Sequence, residues 1–381
     1  MKNKTILVFT GGGITSALNP TLYGILKEAK KYNIKVLGGL YGWRSVLNNG
    51  KMIDISNVDP EIIKNRGGSF LRSSRTNPFG DKENIDEIKL NIKEKNIDAI
   101  IAIGGNDTLG AANRLFKEEK INIVAIPKTI DNDLSGTYYT PGFASAAYYF
   151  SEFVKELKYD AAYSLSRIFI IESMGQDAGW LTASACYGGA DIIIPPEKKV
   201  NFKKVIKLLL DKYEKNGNYA VLVVGEKAQF DKDIKSFDFS QKDDYNVKRK
   251  NYICIGLQEE IKKYMGNVTV KALYPGNYLQ TGSATKIDSE LSIKLGKEAI
   301  KLVKQENFGK MVNIIRNGDK LEISNIELSK TTKFKSLDNK YFDWNKFEAT
   351  KEYFDYMKPI LGKYKDFKND SYYKLIKKIN K

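Results

Sequence analysis

Along the first 145 residues, short uninterrupted apolar runs alternate with stretches in which apolar positions recur every three or four residues. Thr5–Phe9 predicts a strand, followed by a glycine loop and a helix over about residues 19–31. Lys35–Leu37 predicts a short strand, and Asp98–Ile103 and Ile121–Ile126 two more with a helical segment between them. The alternation continues with a strand over Arg167–Glu172, a helix over Asp177–Tyr187, and a strand over Asp191–Ile194 that Pro195-Pro196 ends. A helix over 202–215, strands over Tyr219–Val224 and Asn267–Leu273, and helical spacing over 285–305 and Ala349–Leu361 complete the pattern. Strands apolar on both faces, separated by helices, predict parallel sheets covered on both sides: an α/β protein of doubly wound type. The polar, aperiodic segment Phe230–Arg249 reads as a surface loop or insertion.

Length changes this picture first. A chain of 381 residues exceeds one comfortable core, and 42% hydrophobic residues supply two. No apolar run reaches the ~18 residues of a membrane span, and Met1-Lys2-Asn3-Lys4 leads directly into a strand, so the expectation is a soluble cytoplasmic protein. Cys186 and Cys254 lie in apolar surroundings without a CxxC partner, which predicts reduced core thiols. The net charge of +16 is consistent with nucleic acid, a membrane surface or a phosphorylated small molecule. The excess is mostly dispersed lysine, and no zinc-finger, RRM or KH pattern accompanies it, so solvated helix faces account for it without a nucleic-acid or membrane partner.

Candidate chemistry falls at the carboxyl ends of the predicted strands, where open α/β sheets bind ligands. After the first strand comes Thr10-Gly11-Gly12-Gly13 and then a helix opening near Asn19-Pro20, a setting for backbone amides around an anion. It matches neither GxGxxG nor GxxxxGK[ST]. After Ile103 runs Gly104-Gly105-Asn106-Asp107-Thr108, and after Ile126 runs Pro127-Lys128-Thr129-Ile130-Asp131-Asn132-Asp133. A helix cap explains one acid there, not four charged groups. A lysine suits phosphate, a carboxylate pair suits Mg²⁺, and a remaining carboxylate suits a hydroxyl proton. The chain has no histidine, so the base must be another side chain, and Asp131 is the candidate. Gly67-Gly68-Ser69-Phe70-Leu71-Arg72-Ser73-Ser74-Arg75 adds a loop with two of the few arginines, suited to clamping phosphoryl oxygens.

These segments, in this order, resemble the phosphofructokinase family over roughly residues 4–335. Thr10-Gly11-Gly12 resembles the family's first phosphate loop, Gly67 to Arg75 its GGS-x-L-x-x-SR segment, and Gly104 to Thr108 its GGDGS or GGEDT loop, while Pro127 to Asp133 matches PKTIDND. Ser164 to Arg167 through Met174-Gly175 is similar to SHxR…EVMGR, with Gly179-Trp180-Leu181 and Gly189-Ala190-Asp191 following. The resemblance implies two doubly wound Rossmann-like domains with the active site in the cleft between them: 1–141 with about 280–334 for donor and metal, and 142–279 with about 335–381 for sugar. It implies Asp131 as the base for the sugar's 1-hydroxyl, with Asp133, Arg75 and Thr129 completing the catalytic group. Gly11, Gly12, Gly104, Gly105, Asp107, Thr108 and Lys128 would line the donor phosphates, with Asn106 and Asp107 at Mg²⁺. Met174, Gly175, Gln176, Glu226, Asn277 and Gln280 would meet the sugar, and Arg167 and Lys271 its 6-phosphate, usually from a neighbouring subunit of a homodimer or homotetramer. In the family, ATP users carry small residues at the places of Asp107 and Lys128, whereas pyrophosphate users carry an acid and a lysine, so the resemblance implies pyrophosphate as donor.

The chain departs from the family at Asn106, where an acid is usual, at Gln176 and Gln280, where arginines are usual, and at Asn277. Each lost charged contact to phosphate is worth about 1.5–3 kcal/mol. Three alternatives to the pyrophosphate enzyme therefore stand: an ATP-dependent phosphofructokinase, a kinase of the same fold with another sugar or polyol acceptor, and a non-catalytic regulatory subunit.

Overall fold

The structure, a computed structural model, describes residues 4–235, 252–331 and 333–379. In chain order it begins β1 (Thr5–Thr10), α1 (Leu18–Lys31), β2 (Lys35–Gly39), β3 (Met52–Asp54), α2 (Glu61–Lys64), α3 (Glu83–Glu94), β4 (Ala99–Gly104), α4 (Asn106–Glu119), β5 (Ile123–Pro127) and α5 (Phe143–Tyr163). Next come β6 (Ile168–Ser173), α6 (Trp180–Ala183), β7 (Ile192–Ile194), β8 (Lys199–Val200), α7 (Phe202–Asn216), β9 (Ala220–Gly225), β10 (Gln229–Phe230), α8 (Ile253–Met265), β11 (Val270–Leu273) and α9 (Tyr278–Thr281). The chain finishes with α10 (Lys286–Lys304), β12 (Lys310–Asn317), β13 (Lys320–Glu327), β14 (Phe342–Asp343), β15 (Glu348–Ala349), α11 (Lys351–Leu361) and α12 (Ser371–Ile379). Residues 4–145 and Gln280–Lys335 form one compact unit; 146–235, 252–279 and 336–379 form a second.

The first unit is built on a seven-stranded sheet in the order β13-β12-β5-β4-β1-β2-β3. Its centre is parallel, with Leu7 opposite Leu37 and Ile100, and Ile101 opposite Val124. Every residue of β4 and β5 is buried, as strands apolar on both faces require. Phe9 and Trp43 pack with ring centroids 4.5 Å apart beneath the sheet. The antiparallel strands β3 and β13 close its two edges. In the second unit, β11-β6-β9-β7 form a wholly parallel sheet whose central β6 and β9 are buried throughout. Trp180 packs there against Tyr341 and Tyr356, and its carbonyl accepts the Tyr353 hydroxyl at 2.7 Å.

Two predicted elements come out shorter. The helix expected over Asp177–Tyr187 is one α-helical turn, α6, followed by a 3₁₀ turn over Ser184–Gly188. The preceding residues are used in a tight turn, with the Ala178 amide donating to Gly175 at 3.0 Å and Gln176 at φ +51°. The strand expected from Asn267 starts at Val270, because the Val268 amide turns back to Met265. The predicted surface loop over 230–249 lies, from residue 236, outside the described residues. Cys186 and Cys254 are both buried free thiols, as predicted. Among the described residues no helix is long and apolar enough to cross a membrane.

Candidate active site

In the first sheet β1 has β4 on one side and β2 on the other, so the strand order reverses there and the loops after β1 and β4 diverge into a crevice. The Gly11 amide donates to Ile103 and the Gly12 amide to Ser74, both at 2.9 Å. The Ser73 hydroxyl donates to the Gly12 carbonyl at 2.6 Å, and Thr10 Oγ1 to the Arg72 carbonyl at 2.5 Å. The arginine loop is thereby laced along the first glycine loop, and Arg75 Nη2 approaches to 4.0 Å of where a Cβ on Gly13 would stand. Asn19 anchors the same loop, donating to the Arg66 carbonyl at 2.9 Å and accepting the Phe70 amide at 2.8 Å. Helix α1 itself opens at Leu18, and Asn19 holds the loop rather than starting the helix.

Thr108 sits buried in the first turn of α4, wedged between the two glycine loops. A Cβ on Gly11 would lie 2.4 Å from Thr108 Oγ1, and one on Gly104 would lie 2.3 Å from Thr108 Cβ. Glycine at both places is therefore a packing requirement, and it keeps the backbone of both loops open towards the crevice. Gly105 precedes α4 in extended conformation, so the amino end of the helix, which carries partial positive charge, lies just beyond the β4 end.

The segment after β5 folds onto these loops. Lys128 is buried; its amide donates to the Gly104 carbonyl at 2.8 Å, and its ammonium donates to the Gly13 carbonyl. Burial pushes its pKa down to about 8, with Arg75 adding to the shift and Asp131 and Asp133 opposing it. Asp131 is half-buried and its amide donates to Thr129 Oγ1 at 3.1 Å. Asn132, at φ +56°, turns the chain, and its Oδ1 accepts the Thr140 amide at 3.0 Å. Asp133 follows, its Oδ2 accepting the Asn106 amide nitrogen at 2.5 Å. Burial raises the Asp133 pKa, with the Asp131 and Asp107 charges adding to it and Lys335 opposing. Residues that the sequence pattern did not single out complete the loop. Lys335 Nζ donates to the Tyr138 carbonyl at 2.7 Å, and the buried Asp288 accepts the Gly142 and Ser145 amides at 3.1 and 3.3 Å. No spacing signal marks either residue, because each reaches the loop from far along the chain.

Among the described residues no three acidic or thiol side chains gather as a cation site, and what the crevice offers a hard divalent cation is a pair of carboxylates. Asp133 Oδ1 is buried without a hydrogen-bond partner, and Asp131 and Asp107 act on the same carboxyl, a repulsion that a bound cation relieves. Asp107, exposed on the first turn of α4, and Asp133 are the groups that would hold Mg²⁺. Asn106 contributes by holding the second oxygen of Asp133.

In the second unit the ends of β6 and β9 form a separate constellation. The buried Glu226 accepts three donors on Oε1: the Gly175 amide at 3.0 Å, the Gln176 amide at 2.9 Å and Gln176 Nε2 at 2.9 Å. Gly175 has φ +135°, and a Cβ there would meet the Ala178 carbonyl at 2.8 Å. Met174 is buried beside it. Arg167 precedes the opposite end of the six-residue β6, about 20 Å away at the rise of a strand. It lies 3.5 Å from Asp160 and over the Phe169 ring, and Phe169 is paired with Lys271 on β11. Within this unit the structure therefore groups Met174, Gly175, Gln176 and Glu226 together and keeps Arg167 and Lys271 apart from them. Asn277 is exposed just before α9, and Gln280, half-buried within α9, belongs to the first unit.

The family model for phosphofructokinase matches residues 5–303. The chain is 35% identical over 323 residues to the pyrophosphate–fructose 6-phosphate 1-phosphotransferase of Dictyoglomus thermophilum, covering 83% of this chain and 91% of that one. It is 30% identical to an ATP-dependent 6-phosphofructokinase of Clostridium perfringens, over 85% of this chain and 91% of that one. Its fold superposes on the crystal structure of a pyrophosphate-dependent phosphofructokinase from Marinobacter aquaeolei with a TM-score of 0.82, 23% identity, and coverage of 95% and 92%.

Proposed function

The chain belongs to the phosphofructokinase family, and from that premise we propose that it transfers a phosphoryl group from pyrophosphate to the 1-hydroxyl of fructose 6-phosphate. The observation that carries the choice of donor is the pair Lys128 and Asp107. The buried Lys128 ammonium fills the floor of the glycine crevice at Gly13, and Asp107 stands at its rim on α4. A compact, highly charged pyrophosphate gains a charge-assisted partner from the lysine. A nucleotide's inner phosphate placed against Asp107 is repelled.

In this reading the side-chain-free backbone of Gly11, Gly12, Gly104 and Gly105 leaves room for the donor, and the α4 N-terminus, with Thr108 beneath it, meets its charge, since the Gly11 and Gly12 amides are already taken by the Ile103 and Ser74 carbonyls. Arg75, held beside Gly13 by the laced loop, meets the oxygens of the phosphoryl group in transit. Asp131 takes the hydroxyl proton; the chain has no imidazole for the task, and the Thr129 hydroxyl fixes the turn that presents this carboxylate. Asp107 and Asp133, with Asn106 alongside, would hold Mg²⁺, which would supply neutralisation of phosphoryl charge. Glu226, Met174 and Gly175 meet the sugar hydroxyls. Arg167 and Lys271, at the far end of β6, serve the 6-phosphate in a neighbouring copy, so the working form is a homodimer or a larger homo-oligomer that shares its sites.

One observation favours a second acceptor. Where the family carries an arginine, Gln176 folds back onto Glu226 and brings no positive charge, which suits a less charged sugar or polyol. The deciding experiment is a coupled assay with Mg²⁺ and fructose 6-phosphate, supplied with pyrophosphate or with ATP, followed by a panel of acceptors. Turnover with pyrophosphate and not ATP is expected. Turnover with ATP alone overturns the donor assignment, and binding without turnover for every pair favours a non-catalytic subunit.

A further inference from the structure

The loop that carries Asp131 and Asp133 is closed from outside by a residue some two hundred positions downstream. Leu134 pairs with Phe334 in an antiparallel bridge, and the Lys335 amide donates to the Asp133 carbonyl at 2.8 Å. This places the Lys335 side chain across the mouth of the loop. Its ammonium donates to the Tyr138 carbonyl at 2.7 Å and to Asn132 Oδ1 at 3.3 Å, the same oxygen that takes the Thr140 amide. Both strands of the loop, 132 and 138–140, are therefore gathered on one cation. Its charge acts on the Asp133 carboxylate against the repulsion of Asp131 and Asp107, while burial pulls the Lys335 pKa itself down to about 7 with Asp133 opposing that shift. A neutral donor would supply the hydrogen bonds; only a charged one also offsets the charge of Asp133.

We propose that Lys335 is a positioning residue for phosphoryl transfer, whose ammonium clamps the 132–140 loop and counterbalances its carboxylates so that Asp131 and Asp133 stay together at the donor loops. The proposal rests on the functional reading above. Lys335→Met removes the charge and the donors, Lys335→Gln keeps a donor without charge, and Lys335→Arg keeps both.

The test measures kcat and KM for each variant with pyrophosphate and fructose 6-phosphate, and titrates Mg²⁺ alone by calorimetry. Wild-type turnover is measured first; its absence defeats the functional reading, and the calorimetry then judges Lys335 by itself. Expected for both Lys335→Met and Lys335→Gln is a kcat lower by about 10- to 100-fold, the scale of losing an outer partner of a liganding group, with KM for the sugar phosphate little changed. Mg²⁺ should bind these variants more tightly than wild type, because a competing positive charge is gone, while Lys335→Arg stays close to wild type in both respects. A purely structural role moves turnover and Mg²⁺ affinity down together. That outcome, Mg²⁺ affinity unchanged in both neutral variants, or a neutral variant that keeps wild-type kcat, overturns the proposal. Should Lys335→Met fail to fold, Lys335→Gln decides by the same criteria.

Discussion

Lys128 offers the sharpest test of the donor site. Replacing it with methionine keeps the aliphatic stem, which is buried, and deletes the ammonium that donates to the Gly13 carbonyl. A charge-assisted contact to phosphate is worth about 1.5–3 kcal/mol, so kcat/KM for pyrophosphate should fall by roughly 10- to 150-fold. Folding should suffer far less, because the free protein already bears the desolvation of this cation, as the downward pKa shift shows. The same shift sets a pH signature. The folded pKa, about 8, lies below the ordinary value of 10.5, so between these pH values the unfolded chain binds more protons than the folded one. Stability of the ligand-free protein therefore rises with pH across that window, and below it the buried charge weighs fully against folding. Donor binding needs the protonated form, so the KM for pyrophosphate should climb above pH 8 in the wild type, and Lys128→Met should lack that climb. The assay is steady-state kinetics from pH 6.5 to 9.5 beside thermal melts without ligand. A Lys128→Met variant with kcat/KM within threefold of wild type, or one that retains the alkaline rise in KM, would refute the reasoning.

Other outcomes follow from the same geometry. Asp131→Asn should abolish turnover while calorimetry still detects sugar phosphate and pyrophosphate; full activity would place the base elsewhere. Gly104→Ala should destabilise the protein by about 1–3 kcal/mol through overpacking against Thr108, seen as a lower Tm; combining it with Thr108→Ser should recover part of the loss because a methyl group is removed from the clash. Gln176→Arg restores a guanidinium beside Glu226, and a lower KM for fructose 6-phosphate is expected; an unchanged KM together with a weaker response to a less charged acceptor would favour the second acceptor reading.

Much of this architecture is legible in the sequence because its strands are buried on both faces. Ile100 to Ile103 and Ile123 to Ile126 read as strands without structural help, and the glycine and charged residues after them mark the ligand end of the sheet. Local pattern failed where burial is complete or contacts are distant. Helix α5, with its buried small and aromatic residues on several sides, shows no clean apolar stripe, and the pattern gave no assignment there. The β12–β13 hairpin does carry a local signal, the two-residue turn Gly318-Asp319 between the paired Asn317 and Lys320, with Gly318 at φ +61°. Lys335 and Asp288 close the aspartate loop from residues far along the chain, and nothing separates them by type from the other lysines and acids. The hydrogen bond from the Gln176 side chain to Glu226 likewise has no local signature, because it joins residues 50 positions apart.

Strand β5, which delivers the lysine and both aspartates, gains its outer neighbour only when β12 pairs beside it, with Lys310 opposite Val124. Nearly half the polypeptide lies between β5 and β12 and must leave the ribosome before that vacancy is filled, and until then β5 presents a raw, hydrophobic border on which other nascent chains could template. The order of translation thus makes the phosphoryl-handling loop among the last parts of the first unit to acquire its shape, and a truncation before residue 310 should yield aggregates instead of a partly active enzyme.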